Sequence, residues 1–313
     1  MKYNTYIKKS TLVSEIGLGT WQLGENSGWK SMSEKQAIDL VHNSVASGVN
    51  FFDTAPNYGH GTSEIRLGTA LHPLDRSKVV INTKFGHTVS GRINYDSNYI
   101  RESVEGSLKR LQTDYIDSVI MHSPPIEYLD GNKNPHYEVF EELIKEGKIN
   151  AYGASLDTSE DMKLFMDTTK AKVIEAFFNI LHQDTASAFA LAQKKDVAII
   201  AKIPLDSGWL SGTYNAESTF SGIRNRWSKM DIITRSNLIK KVKNIIDHEN
   251  RLAQAAISFC LAYDAISTVI PGTTSIAQLK SNLESAERPM PKELVQKLED
   301  FYQNEVKLLD LPW

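Results

Sequence analysis

Short, almost uniformly apolar runs alternate along the chain with longer stretches in which apolar residues recur every three or four positions. A run apolar on both faces suits a strand buried on both sides, whereas the three-and-four spacing lays one apolar stripe along a helix. The predicted strands are EIGLGT (15–20), VNFFDTA (49–55), VVINTKF (79–85), YIDSVIMH (115–122), INAYGAS (149–155), KVIEAFFN (172–179), VAIIAKI (197–203) and AISTVIPG (265–272). Between them lie helical patterns such as EKQAIDLVHNSVASG, in which Ala37, Leu40, Val41 and Val45 share a face. Such alternation predicts parallel strands joined by helical crossovers.

Eight repeats of this unit, with no Pro/Gly/Ser-rich linker between halves, predict an α/β chain closed into a (β/α)8 TIM barrel, with residues 1–313 forming a single domain. An open doubly wound sheet would carry a glycine fingerprint after its first strand, but GLGTWQ (17–22) and GHGTSE (59–64) both lack the third glycine. The segment TYIKKSTLVSEIG alternates as an N-terminal β-hairpin would, placed to plug the barrel floor. Two connections, 123–135 and 204–231, are longer than a barrel needs. Both follow strands, so they fall on the face where barrels build active sites, and they leave room for extra helices.

Composition narrows the function classes. The 313 residues carry a net charge of -3, without the basic surface that nucleic acid binding demands. No run approaches the ~18 apolar residues of a membrane span, and MKYNTYIKKS has no apolar segment after its lysines. The lone cysteine, Cys260, lies in AAISFCLAY and reads as core, so no internal disulfide forms and a cytoplasmic setting is expected. The eight histidines show no HExxH or similar spacing, so no metal site is expected.

Polar residues end the apolar strands: Asp53, Lys84, His122, Ser155, Asn179 and Lys202. Singly, an aspartate caps a helix and a lysine reaches for water. In a barrel they converge on one rim, with Tyr58 just beyond Asp53. An ordinary tyrosine titrates near ~10. A lysine beside it favours the phenolate, an aspartate holds that lysine charged, and a histidine hydrogen-bonds a substrate oxygen. Asp53, Tyr58, Lys84 and His122 thus predict a general acid for an alkoxide forming on a carbonyl carbon, with hydride delivery as the partner reaction.

The blocks GLGTWQLG (17–24), NFFDTAPNYGHGTSE (50–64), NTKFG (82–86), DSVIMHSP (117–124), EGKINAYGAS (146–155), PLDSGWLSGTY (204–214) and IPGTTSIAQLKSNLES (270–285) resemble those of the aldo-keto reductase superfamily in order and spacing. The resemblance implies a catalytic tetrad of Asp53, Tyr58, Lys84 and His122, with Tyr58 as proton donor, and a barrel that binds NADP(H). It places Thr20, Trp21, Asp53 and Ser155 near the nicotinamide and Leu205, Ser207, Gly208, Leu210 and Arg224 around the pyrophosphate. The adenosine end would meet Gly272, Thr273, Thr274, Gln278 and Asn282. Trp21, Tyr58, His87, His122 and the C-terminal Trp313 are expected to line the pocket for a small-molecule carbonyl substrate, with Trp209 near its mouth and Trp227 either there or packing the long loop down. The family is often monomeric, so a monomer or weak homo-oligomer is expected.

The pattern departs from the family in places. Glu175 stands where Gln commonly meets the carboxamide, Leu156 follows Ser155 where Asn is usual, and Lys202 stands where an aromatic usually stacks on the nicotinamide. Both Glu175 and Lys202 remain cofactor-site candidates, and an ion pair between them is the favoured expectation. The block after IPG offers hydroxyls rather than a cation for a 2′-phosphate, which keeps NAD(H) open beside NADP(H). Two other classes fit the residues: a Schiff-base aldolase using Lys84 or Lys202, and a non-catalytic nucleotide-binding redox sensor.

Overall fold

The computed structural model describes residues 1–24, 31–247, 251–309 and 311–312. An antiparallel hairpin, β1 (Tyr3–Thr5) and β2 (Leu12–Ser14), precedes the barrel strands. These are β3 (Leu18–Gly19), β4 (Phe51–Asp53), β5 (Val80–Phe85), β6 (Ser118–Met121), β7 (Tyr152–Leu156), β8 (Val173–Phe177), β9 (Ala198–Lys202) and β10 (Ile266–Val269). All but β7, which runs one residue further to Leu156, lie within the predicted runs, and each pairs in parallel with its neighbour in sequence. Bridges from Ile16 to Val269 and from Gly19 to Gly272 close the ring. Closure leaves the sheet no free edge to pair with another chain.

Two apolar shells follow from this geometry. Inside the barrel, Phe51, Val80, Ile120, Val173 and Ile200 meet Tyr6 and Val13 of the hairpin, which plugs the floor as predicted. The larger outer shell packs the other strand faces against the helices. Full burial of each large apolar side chain stabilises the fold by roughly 1.5–3 kcal/mol.

The first helix, Glu34–Ala46, buries Ala37, Leu40 and Val41 as the spacing predicts. Its start is a capping box, in which Ser33 Oγ accepts from Gln36 N at 3.2 Å and Ser33 N donates to Gln36 Oε1 at 2.9 Å. Ser33→Ala should lower stability by about 0.5–2 kcal/mol. A urea midpoint identical to that of the parent would show that this cap contributes nothing.

The long connection after β9 contains short 3-10 turns at Asp206–Ser211 and Gly222–Arg226 and leads into an extra helix, Lys229–Ile246. A second extra helix, Lys292–Phe301, follows the last crossover. Trp209 and Trp227 do not line a pocket mouth: their rings pack 5.9 Å apart and both are buried. Large rings gain most from complete burial, and Phe220 and Tyr214 supply the apolar surroundings. The tail folds onto this cluster, with the Pro312 carbonyl accepting from Trp227 Nε1 at 3.0 Å and Arg235 Nη2 at 2.6 Å. Among the described residues, no helix is long and apolar enough to cross a membrane.

Candidate active site

Strand register brings the polar rim together. Asp53 ends β4 beside Asn82 of β5, and Ser155 of β7 lies beside Glu175 of β8. Side chains alternate across a strand, so Asn82 and Lys84 share the inner face. Lys84 Nζ lies 2.7 Å from each Asp53 carboxylate oxygen and 3.1 Å from the Thr54 carbonyl. Glu175 Oε2 sits 3.2 Å from the same ammonium.

Tyr58 projects over this cluster from a tight turn. Gly59, His60 and Gly61 are all left-handed, at φ 58°, 53° and 91°, a sequence of conformations that glycines make accessible. A Cβ on Gly24 would lie 2.7 Å from the Gly59 nitrogen, so only glycine lets the Trp21 turn close on the Tyr58 turn. The Trp21 and Tyr58 rings are 5.9 Å apart at 29°, and His122 meets Tyr58 edge-on at 5.8 Å. His87 stacks on His122 at 4.3 Å. The Lys84 ammonium lies 5.2 Å from the centre of the Tyr58 ring.

The electrostatics differ from the simple expectation for the tyrosine. Burial raises the Tyr58 phenol well above its usual range; Lys84 pulls it down, but Asp53 and Glu175 push it up again. Tyr58 therefore holds its proton firmly at neutral pH. Burial by itself would lower the Lys84 ammonium, yet Asp53, Glu175 and Tyr58 together hold it above its ordinary value. His122 is held well below the usual histidine range by burial, then by Lys84, His87 and Lys202, so its ring is neutral at pH 7. Burial and Lys84 lower His87 as well. The buried Nδ1 of His122 has no hydrogen-bond partner.

The expected ion pair between Lys202 and Glu175 does not form. Lys202 Nζ instead lies 2.8 Å from Asp157 Oδ1 and donates to Ser155 Oγ at 2.9 Å, while Glu175 turns to Lys84. Asp157 sits at the open end of β7 and retains solvent, which lowers the cost of pairing there. Ser155 in turn donates to Glu175 Oε1 at 3.3 Å.

A cavity of about 680 Å³ runs from this cluster along the barrel mouth. Thr20, Trp21, Asp53, Tyr58, His87 and His122 lie at one end. Ser155, Glu175 and Lys202 follow, then Leu205, Ser207, Gly208 and Arg224, and finally Gly272, Thr274, Gln278 and Asn282. Two expected cofactor residues are not on its wall. Leu210 is fully buried, and Thr273 is buried behind the surface, accepting from Asn282 Nδ2 at 3.0 Å. Trp313 lies outside the described residues. Arg224 Nε reaches the Ser207 carbonyl at 3.3 Å, and Arg226 lines the cavity beside it. Among the described residues, no cluster of His, Cys, Asp or Glu could hold a metal ion.

Several site residues escaped the sequence. Asn82 donates to Asp53 Oδ1 at 2.7 Å, Ser118 to Asn82 Oδ1 at 2.6 Å, and Tyr6 lies 2.7 Å from Ser118. Because Ser118 spends its proton on Asn82, Tyr6 must donate, and every proton of the chain points from the barrel floor towards the Asp53 carboxylate. Tyr95 donates from its hydroxyl to the His122 carbonyl and steadies that backbone. Asn82, two positions before Lys84 on the same face, was the one readable signal.

Residues 15–303 match the profile of the aldo/keto reductase family. A protein of Escherichia coli (strain K12) described as an NADH-specific methylglyoxal reductase is 28% identical over 92% of this chain and 96% of its own length. An aldo-keto reductase of Bacillus subtilis (strain 168) is 32% identical over 71% of this chain and 67% of its own. Among solved structures, an aldo-keto reductase from Bacillus halodurans in its holo form superposes with a TM-score of 0.81 at 28% identity, with both chains covered completely.

Proposed function

The chain belongs to the aldo/keto reductase family, and from that premise we propose that it reduces a small aldehyde or ketone with a nicotinamide dinucleotide, Tyr58 giving the proton. Residues 1–313 act in this reading as one barrel domain. The observation that carries it is the cluster itself: a phenol that keeps its proton stands over an ammonium clamped at 2.7 Å by a buried carboxylate, with a neutral imidazole facing it. The cavity fits the dinucleotide, being long enough to extend from Tyr58 to Gln278 and carrying two arginines, Arg224 and Arg226, midway for phosphates. When bound, the cofactor supplies the hydride.

The remaining work falls to side chains of this chain. Tyr58 donates its O–H to the carbonyl oxygen and releases the proton as negative charge gathers there. The Lys84 ammonium answers the charge left on the phenolate, and Asp53 keeps that ammonium in place. His122, neutral, orients the oxygen by hydrogen bonding. Ser155, Glu175 and Lys202 form the wall against which the carboxamide would rest, and Trp21 and His87 border the substrate end.

NADPH is the proposed cofactor, with Arg224 and Arg226 as the cations for its phosphates; the E. coli relative is described as NADH-specific, so the two nucleotides must be compared directly. Parallel titrations with NADPH and NADH, read by tryptophan quenching, should show saturable binding and a preference for NADPH, followed by nucleotide oxidation when a short aldehyde is added. Lack of quenching by both nucleotides would overturn the reading, and tighter binding of NADH would overturn the cofactor choice. The Schiff-base alternative is disfavoured by the same geometry, since Lys84 is ion-paired within the cluster and Lys202 is paired with Asp157, and an ammonium held in an ion pair is not a nucleophile.

A further inference from the structure

Lys84 is one cation facing two buried carboxylates. Asp53 binds it bidentately at 2.7 Å and Glu175 approaches to 3.2 Å, with all three side chains at most 5% exposed. Among the described residues, the only other ammonium on this wall, Lys202, is already answered by Asp157 at 2.8 Å. Pairing Lys84 with Asp53 and Lys202 with Asp157 leaves the Glu175 charge over. The two acids are also unequally supported. Asp53 accepts from Asn82 and from Lys84, whereas Glu175 has a 3.3 Å bond from Ser155 and no hydrogen bond to Oε2. An uncompensated buried carboxylate is costly enough that a proton is taken up instead.

We propose that Glu175 is a positioning residue for the reaction: it competes with Asp53 for Lys84, by its repulsion keeps an exchangeable proton on Asp53, and so sets the charge against which Tyr58 gives up its own proton. The groups facing it are Lys84 from β5, Asp53 from β4, Tyr58 above, Tyr6 from the floor, and Lys202 from β9 across Ser155. Burial and then the repulsion of Glu175 push Asp53 up to about 7, against the pull of Lys84 and Asn82. Asp53 is the group that carries this titration. Protonated, it leaves the cluster neutral and a Tyr58 phenolate easier to form; deprotonated, it adds a negative charge that opposes proton donation.

The inference rests on the reductase reading for its rate consequence but not for its stability consequence. An unfolded aspartate titrates near ~3.9. Between there and about 7 the folded cluster keeps a proton that the unfolded chain has lost, so its contribution to stability falls as pH rises through that window. Glu175→Gln removes the repulsion. Its stability relative to the parent should therefore increase steadily from pH 5 to pH 8, measured by urea unfolding without any nucleotide. In turnover, the parent should lose rate as pH rises through about 7. The Gln variant, whose cluster is neutral once Asp53 ionises beside Lys84, should lack that limb near neutrality, and Glu175→Asp, which keeps a carboxyl, should retain it. A stability difference that stays flat with pH overturns the proposal even if turnover is intact. Should the variants fail to fold, carbon NMR of side-chain carboxyls in the parent decides it. A carboxyl still titrating near neutrality supports the pair, and complete titration of every carboxyl below pH 6 overturns it. Absence of turnover at all pH values, with the stability trend present, counts against the reductase reading alone.

Discussion

Tyr58→Phe should reduce carbonyl reduction by roughly 10²–10⁴-fold while leaving nucleotide affinity nearly unchanged. The substitution deletes one oxygen and keeps the ring, so the stacking on Trp21 and the edge contact with His122 survive. What is lost is the phenolic proton donor beside the Lys84 ammonium. Because burial holds that phenol well above its ordinary range, its proton is present throughout neutral pH, and the loss should appear in kcat rather than as a displaced acid limb. Nucleotide titration in the variant is the control. Turnover equal to that of the parent would remove Tyr58 from the mechanism, and affinity lost in step with turnover would mean that the ring, not the hydroxyl, mattered.

Lys84→Met should be the most disruptive single change in the barrel. It leaves Asp53 and Glu175 facing each other with side chains 4% and 5% exposed and no cation between them. Breaking a buried pair by removing one partner costs about 3–5 kcal/mol, chiefly from the charge left unpaired. The deficit should depend on pH in a defined direction. Without Lys84 to hold it down, the folded Asp53 carboxyl rises further than in the parent, so the variant recovers stability as pH falls and Asp53 protonates, and loses it as pH rises. Urea unfolding at pH 5 and pH 8 should show a larger deficit at the higher pH. Equal deficits would imply that lost packing of the lysine stem, rather than charge, held the strands together. Activity should disappear at both values, since no cation remains to answer the Tyr58 phenolate.

Much of the fold was legible because its signals are local. A strand buried on both faces must be apolar along its length, and every such run from Val49 to Gly272 overlaps one of the parallel strands, β7 alone running a residue past its end. The convergence of Asp53, Lys84 and His122 followed from the same alternation, since residues at the ends of parallel barrel strands open on one rim. Less legible were the contacts whose partners lie far apart in the chain. Ser118 and Tyr6 are separated by 112 residues yet form consecutive links below Asp53. Nothing in the local pattern of YIDSVIMH marks that serine as different from any other small strand residue.

The pattern of side chains along this chain was sufficient to determine the eight-stranded barrel, the plugged floor and the acid, lysine and histidine at its rim, because each depends on periodicities of two, three or four residues. Only the tertiary structure decided how charge is divided there. Glu175 chose Lys84 over Lys202, the Tyr58 phenol rose instead of falling, and Trp209, expected at the mouth, went into the core. Coulombic preference and desolvation depend on separations of a few ångströms between strands and on how much water each group keeps, and a linear sequence records neither.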